Sequence, residues 1–173
     1  PVVVDLCCGS GAVAAVVLAA APDAQLHAAD IDPVEVACAV RNLGPRAVVG
    51  DLFDPLPPGL RGAVDILVAN VPYVPTAEVA LMPGEAREFE PLVALDGGRD
   101  GLDIARRVAA QAPTWLRPGG HLLIETSDAQ VAELVDDMLE FQSDTRNTMF
   151  GLVCVLGVVA IAALVIGLGI FFR

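Results

Sequence analysis

Asp5, Asp30, Asp51 and Asn70 each stand at the end of a short apolar run, beside residues suited to holding a ligand. Asp5 opens the turn Asp5-Leu6-Cys7-Cys8-Gly9-Ser10-Gly11-Ala12. Gly9 and Gly11 let the backbone approach a ligand closely, and the helix start beyond them offers unpaired N–H groups. Cys7, Cys8, Gly9, Ser10 and Gly11 are therefore candidate cofactor contacts. The spacing Gly9-x-Gly11-x-x-Ala14 fits the relaxed dinucleotide fingerprint, which alone is a weak signal. A carboxylate at Asp5 would repel a pyrophosphate and would suit a cationic amino-acid group. Asp30 is placed to take both hydroxyls of a ribose, which serves nicotinamide and adenosyl cofactors alike. Asp51 can accept from an adenine amino group while Leu52 and Phe53 cover the ring face. Singly, each acid is also what a tight turn at a solvated surface looks like; together they mark one site.

The elements that must position these residues alternate along the chain. Residues 2–7, 25–29, 47–49, 64–69 and 121–125 are short apolar runs that read as strands. Residues 12–21, 33–42, 101–112 and 128–139 read as helices, with Pro33 at a first-turn position where a missing N–H costs nothing. Residues 71–99, rich in proline and closed by Gly97-Gly98, read as a long loop. This alternation predicts an α/β fold, a doubly wound, Rossmann-like parallel sheet with right-handed crossovers. Such sheets bind ligands beyond the carboxyl ends of their strands, where Asp30, Asp51 and Asn70 fall.

Ten Lys+Arg against 22 Asp+Glu give a net charge of −12, and no lysine is present. Phosphate binding needs clustered basic residues, so no direct nucleic-acid contact is expected. The four cysteines, Cys7, Cys8, Cys38 and Cys154, contain no C-x-x-C pair, and only His27 and His121 could join them. No metal site follows; the thiols read as buried residues of a reducing compartment. The chain opens at Pro1 without a signal peptide, which points to a segment removed or missing ahead of it.

The sharpest motif is Asn70-Val71-Pro72-Tyr73, directly after the fourth strand. It resembles the Asn-Pro-Pro-Tyr motif of the protein glutamine N(5)-methyltransferases, the HemK-like enzymes that modify the glutamine of peptide chain release factors. It departs from that motif at Val71. Amino-methyltransferases of adenine and guanine carry related motifs, so these four residues leave the acceptor open. Glu90-Pro91-Leu92-Val93-Ala94-Leu95-Asp96-Gly97-Gly98-Arg99-Asp100-Gly101-Leu102 is similar to a segment of the glutamine enzymes that the nucleic-acid branches lack. The resemblance runs over residues 2–130. It implies a class I S-adenosylmethionine-dependent methyltransferase with S-adenosylmethionine as cofactor and a release factor or ribosomal protein as acceptor. The alternatives are methylation of a nucleic-acid base, or a degenerate cofactor-binding module tethered to a membrane.

Physical chemistry is consistent with an amide acceptor. An amide nitrogen is a poor nucleophile because its lone pair is delocalised, so it must be held in line with the methyl group. The Asn70 side-chain oxygen and the Val71 carbonyl could each accept one N–H of the amide. A backbone carbonyl does not depend on its side chain, so valine at 71 need not abolish the function. Pro72 forces Val71 into an extended conformation, and Tyr73 offers an aromatic face beside a cation.

The resemblance also implies parts this chain lacks. The helical N-terminal domain by which the family grips its substrate is not expected within this sequence, which starts at the first strand, and in place of the antiparallel hairpin beside the fifth strand come a polar linker, residues 142–148, and an uncharged run, residues 149–172. Twenty-four helical residues would span about 36 Å, enough to cross a hydrocarbon layer of about 30 Å. A membrane helix is the favoured reading; a sheet-completing pair of strands is the other. The expected organisation is a methyltransferase domain over 1–141, the linker, and the helix over 149–172, with a cytoplasmic catalytic domain anchored by that helix. An open edge on the fifth strand and weak turnover on an intact protein substrate follow from this reading.

Overall fold

The computed structural model describes residues 1–144 and 151–154. Among these described residues six parallel strands form one sheet in the order β3-β2-β1-β4-β5-β6: β1 Val2–Leu6, β2 Gln25–Asp30, β3 Ala47–Val49, β4 Val64–Ala69, β5 Leu116–Ile124 and β6 Gly151–Cys154. The central strands β1 and β4 are sealed on both faces, as their near-continuous Val, Ile and Leu content requires.

The helices cover the sheet on two sides. On one face α1 (Ala12–Ala20) and α2 (Pro33–Leu43) pack Val13, Val17, Val36 and Leu43 against the strands. On the other, α6 (Asp103–Trp115) buries Ala105, Val108, Ala109 and Ala112, one face of a 3.6-residue period, next to Leu134 and Met138 of α7 (Val131–Asp144). The chain winds outward from β1 in one direction and from β4 in the other. The carboxyl ends of β1 and β4 therefore form the switch point where a crevice opens. Dinucleotide-binding domains share this strand order, so topology alone does not choose a cofactor.

Three expectations change. Residues 71–99 are not a plain loop but carry three short helices, α3 (Thr76–Val79), α4 (Gly84–Phe89) and α5 (Leu92–Leu95). Helix α7 runs on through Asp144, into the residues read as linker. The reading of residues 149–172 as one membrane helix fails at Gly151–Cys154, which lies parallel to β5 with His121 opposite Gly151 and Ile124 opposite Cys154. That strand occupies the edge expected to be open, because α7 returns the chain for another parallel pairing. Among the described residues no helix is long and apolar enough to cross a membrane. Residues 149–150 and 155–172, the rest of that reading, lie outside the described residues.

Candidate active site

Register brings the strand ends together. Leu6 lies opposite both Ala29 and Ala69, and Ala69 opposite Ile124. The next residues, Cys7, Asp30, Asn70 and Glu125, consequently stand side by side along the crevice. They share a cavity of about 510 Å³ with Val71, Pro72 and Tyr73. A smaller cavity of about 100 Å³ adjoins it, lined by Asp51, Leu52 and Arg107 among others, with Cys7, Asp30, Ile31, Pro72 and Val93 common to both.

The glycine turn is committed to holding its own shape. Gly9 N donates to Asp30 Oδ2 at 2.8 Å, and Gly11 N to the Cys8 carbonyl at 2.8 Å. Asn42 Nδ2 donates to the Ser10 carbonyl at 2.9 Å. Asp30 Oδ1 accepts from Asp32 N at 2.9 Å, which leaves each Asp30 oxygen room for one further donor. Asp5 is buried, and its carboxylate accepts from the Ala14 N–H in the first turn of α1. Burial, opposed by that hydrogen bond and reinforced by the charge of Asp30, pushes its carboxyl up to about 7. Of the expected cofactor contacts, Asp5, Cys8, Ser10 and Gly11 line neither cavity, whereas Cys7, Gly9, Asp30, Asp51, Leu52 and Asn70 do.

Cys7 holds a left-handed backbone at φ 53, and so does Leu52 at φ 48. These are sparsely populated conformations for residues with a Cβ, and both occur where the chain leaves a strand to form a cavity wall. Burial and the negative charges of Asp30, Asp5 and Asp51, partly offset by Arg107, push the Cys7 thiol up to about 12. It is a neutral wall residue at physiological pH, not a nucleophile.

At the smaller cavity Asp51 Oδ2 accepts from Arg107 of α6 at 2.6 Å. Phe53 does not cover a ligand there. It is buried and stacks on Trp115 with ring centroids 5.3 Å apart, because core burial of both aromatics outweighs exposing one at the cavity mouth.

The Asn70–Tyr73 segment lies against the large cavity, with Val71 buried and the other three partly so. Burial, together with the nearby charges of Glu125 and Glu90, holds the Tyr73 phenol above its usual range, so it is neutral. The glycines of the second motif lie under this loop. A Cβ on Gly97 would come within 2.6 Å of the Pro72 carbonyl oxygen, and one on Gly101 within 2.2 Å of the Tyr73 carbonyl oxygen. The motif spacing therefore reflects backbone packed against backbone, at Gly101 with φ 82 as well.

Sequence reasoning did not single out Glu125, Arg107 or Gln130. Glu125 follows β5 and lines the large cavity next to Asn70; its place directly after an apolar strand was the signal for it. Among the described side chains, every ionisable residue on that cavity's wall is an acid apart from Cys7 and Tyr73: Asp30, Asp32, Glu35, Glu90 and Glu125. Among the described residues no cluster suited to a metal ion occurs.

Comparison with known proteins agrees with this geometry. The methyltransferase small domain matches residues 1–83. A release factor glutamine methyltransferase of Geobacter sulfurreducens is 40% identical over 133 residues, covering 74% of this chain and 46% of that protein. One from Streptomyces coelicolor is 38% identical over 133 residues, covering 75% and 47%. A ribosomal protein uL3 glutamine methyltransferase of Bradyrhizobium diazoefficiens is 39% identical over 142 residues, covering 78% and 43%. The chain thus spans a little under half the length of these relatives. With the strand-end acids, the Asn70–Tyr73 loop and the glycines beneath it all in place, the chain is similar, over the part of their length that it spans, to the protein glutamine methyltransferases.

Proposed function

We propose that residues 1–141 form a methyltransferase domain that passes the methyl group of S-adenosylmethionine to a glutamine side-chain amide. The acceptor is a protein of the kind named for the relatives, a release factor or a ribosomal protein. The observation that carries this reading is the wall of the larger cavity, where the Asn70–Tyr73 loop meets carboxylates and, among the described side chains, no basic group. A pyrophosphate would find no counter-charge there, and the Gly9 and Gly11 N–H groups are already given to Asp30 and Cys8. A cation fits both facts.

S-Adenosylmethionine supplies an electrophilic sulfonium methyl when bound. Asp30 offers one free acceptor direction on each oxygen to the ribose hydroxyls. Asp51, oriented by Arg107, keeps its other oxygen for the adenine amino group, with Leu52 and Ile31 walling that smaller cavity. Asn70 Oδ1 and the Val71 carbonyl each accept one N–H of the acceptor amide, which aims the nitrogen lone pair at the methyl position. Pro72 keeps Val71 extended, and neutral Tyr73 presents its ring to the cation. The N–C bond would form as the S–C bond breaks and leaves a neutral thioether, so the positive charge would pass to nitrogen, whose proton would be lost to water without a general base.

Isothermal titration tests the cofactor half of this reading. S-Adenosylhomocysteine is expected to bind and NAD is not. Tight binding of NAD alone would overturn it.

A further inference from the structure

Gln130 precedes α7, and its side chain is a hub among three loops. It is 8% exposed. Nε2 donates to the Tyr73 carbonyl at 2.9 Å and to the Asp100 carbonyl at 2.8 Å. Oε1 accepts from Thr126 Oγ1 at 2.8 Å, Ser127 Oγ at 2.7 Å and Ser127 N at 3.1 Å. Two carbonyls on one side and a backbone N–H on the other leave a single orientation for the amide, since the flipped group would set oxygen against oxygen. A neutral planar group with two donors beside an acceptor is what the position demands. Glutamate lacks the donors, and asparagine lacks the reach.

These bonds join the loops after β4 and β5 to the Gly97–Gly101 turn. The first two carry Asn70, Val71, Tyr73 and Glu125 on the cavity wall. Gly101 has no Cβ to keep the parts apart; one would stand 2.2 Å from Gln130 Nε2. Beyond Tyr73 the loop is tied again by Val74 N to the Leu95 carbonyl at 3.1 Å and by Gly97 N to the Val74 carbonyl at 2.9 Å. Those bonds fix its far end. The Gln130 amide ties the Asn70–Tyr73 segment itself, at the Tyr73 carbonyl.

We propose that Gln130 is a positioning residue, whose side-chain amide locks the Asn70–Tyr73 loop in the shape that presents two acceptors to the substrate amide. This rests on the function proposed above. A misplacement of the acceptors by about 1 Å is enough to cost on the order of a hundredfold in rate, so the lock acts on transfer more than on cofactor affinity.

The test compares the full chain with Gln130→Met, which keeps the volume and removes every hydrogen bond of the amide. Amide hydrogen exchange at residues 71–74 and 100–102 is expected to speed up tenfold or more, with β1 and β2 unchanged. The dissociation constant of S-adenosylhomocysteine is expected to stay within threefold. The kcat for methyl transfer is expected to fall at least tenfold, and Gln130→Met added to Asn70→Ala is expected to slow it less than twofold further. Unchanged exchange in the loop, equal losses in cofactor affinity and rate, or fully multiplicative effects with Asn70→Ala would each overturn the proposal. If the wild-type chain transfers no methyl group, the function proposed above fails, while the exchange data still decide the lock. Should Gln130→Met lose the fold, the isosteric Gln130→Glu decides by the same exchange readout. Relative to wild type at the same pH, exchange is expected to be faster at pH 8 and closer to wild type near pH 5, where a protonated carboxyl regains one donor; exchange as slow as wild type at both pH values overturns the proposal.

Discussion

Asn70→Ala is expected to slow methyl transfer by two or more orders of magnitude, about 2.7 kcal/mol or more of lost transition-state stabilisation. Asn70 follows β4 directly, and the pairing of Ala69 with both Leu6 and Ile124 fixes its backbone between two buried strands. Its side chain therefore enters the cavity from the most rigid part of the sheet. Alanine leaves that backbone intact and removes one of the two acceptors, so the substrate amide can rotate and its lone pair leaves the line of attack. Cofactor affinity should change far less, because Asp30 and the Asp51–Arg107 pair stand on other strand ends and on α6. Parallel measurement of kcat and of S-adenosylhomocysteine binding separates the two effects. Equal losses in both would mean that Asn70 holds cofactor and not acceptor.

Asp5→Asn is expected to stabilise the folded chain above neutral pH and to leave it unchanged in acid. Asp5 is 2% exposed, and its carboxyl titrates at about 7 in the folded chain against 3.8 for the ordinary group. The folded state therefore holds a proton that the unfolded state releases between about pH 4 and pH 7. Wild-type stability falls across that window, and the full cost, up to about 4 kcal/mol, is present above it. Asparagine keeps an oxygen for the Ala14 N–H and never ionises. Urea midpoints at pH 4 and pH 8 should thus coincide at the lower pH and separate at the higher, with the variant more stable. A variant no more stable than wild type at pH 8 would show that Asp5 is ionised in a site able to compensate its charge.

Much of the frame was legible because buried parallel strands announce themselves. The apolar runs ending in Asp30, Asp51 and Asn70 are short and separated by helical periods, those before Asp51 and Asn70 carry Val and Ile, and the right-handed crossover rule then orders the inner strands. The same physics hid β6. Gly151-Leu152-Val153-Cys154 shows no polar alternation, so within an uncharged run it has the pattern of a membrane helix. At the site, residues adjacent in sequence to a strand end were found, and residues contributed from afar were not. Arg107 reaches Asp51 across 56 positions, and Gln130 reaches Tyr73 across 57. Phe53 shows the opposite failure: proximity to Asp51 suggested a cofactor contact, while Trp115, far along the chain, draws it into the core. Asp5 was legible as a strand-end acid, but its burial beneath α1 depends on how that helix packs.

The central claim is that the Asn70–Tyr73 loop presents a protein amide to the methyl donor. Its most direct test incubates excess chain with methyl-labelled S-adenosylmethionine and a mixture of release factors, ribosomal proteins and RNA, and then locates the label by fragmentation mass spectrometry. The account predicts label on a glutamine side-chain nitrogen of a protein, lost when Asn70→Ala replaces the wild-type chain. Label confined to RNA, or none on any acceptor from a chain that binds the cofactor, would contradict it.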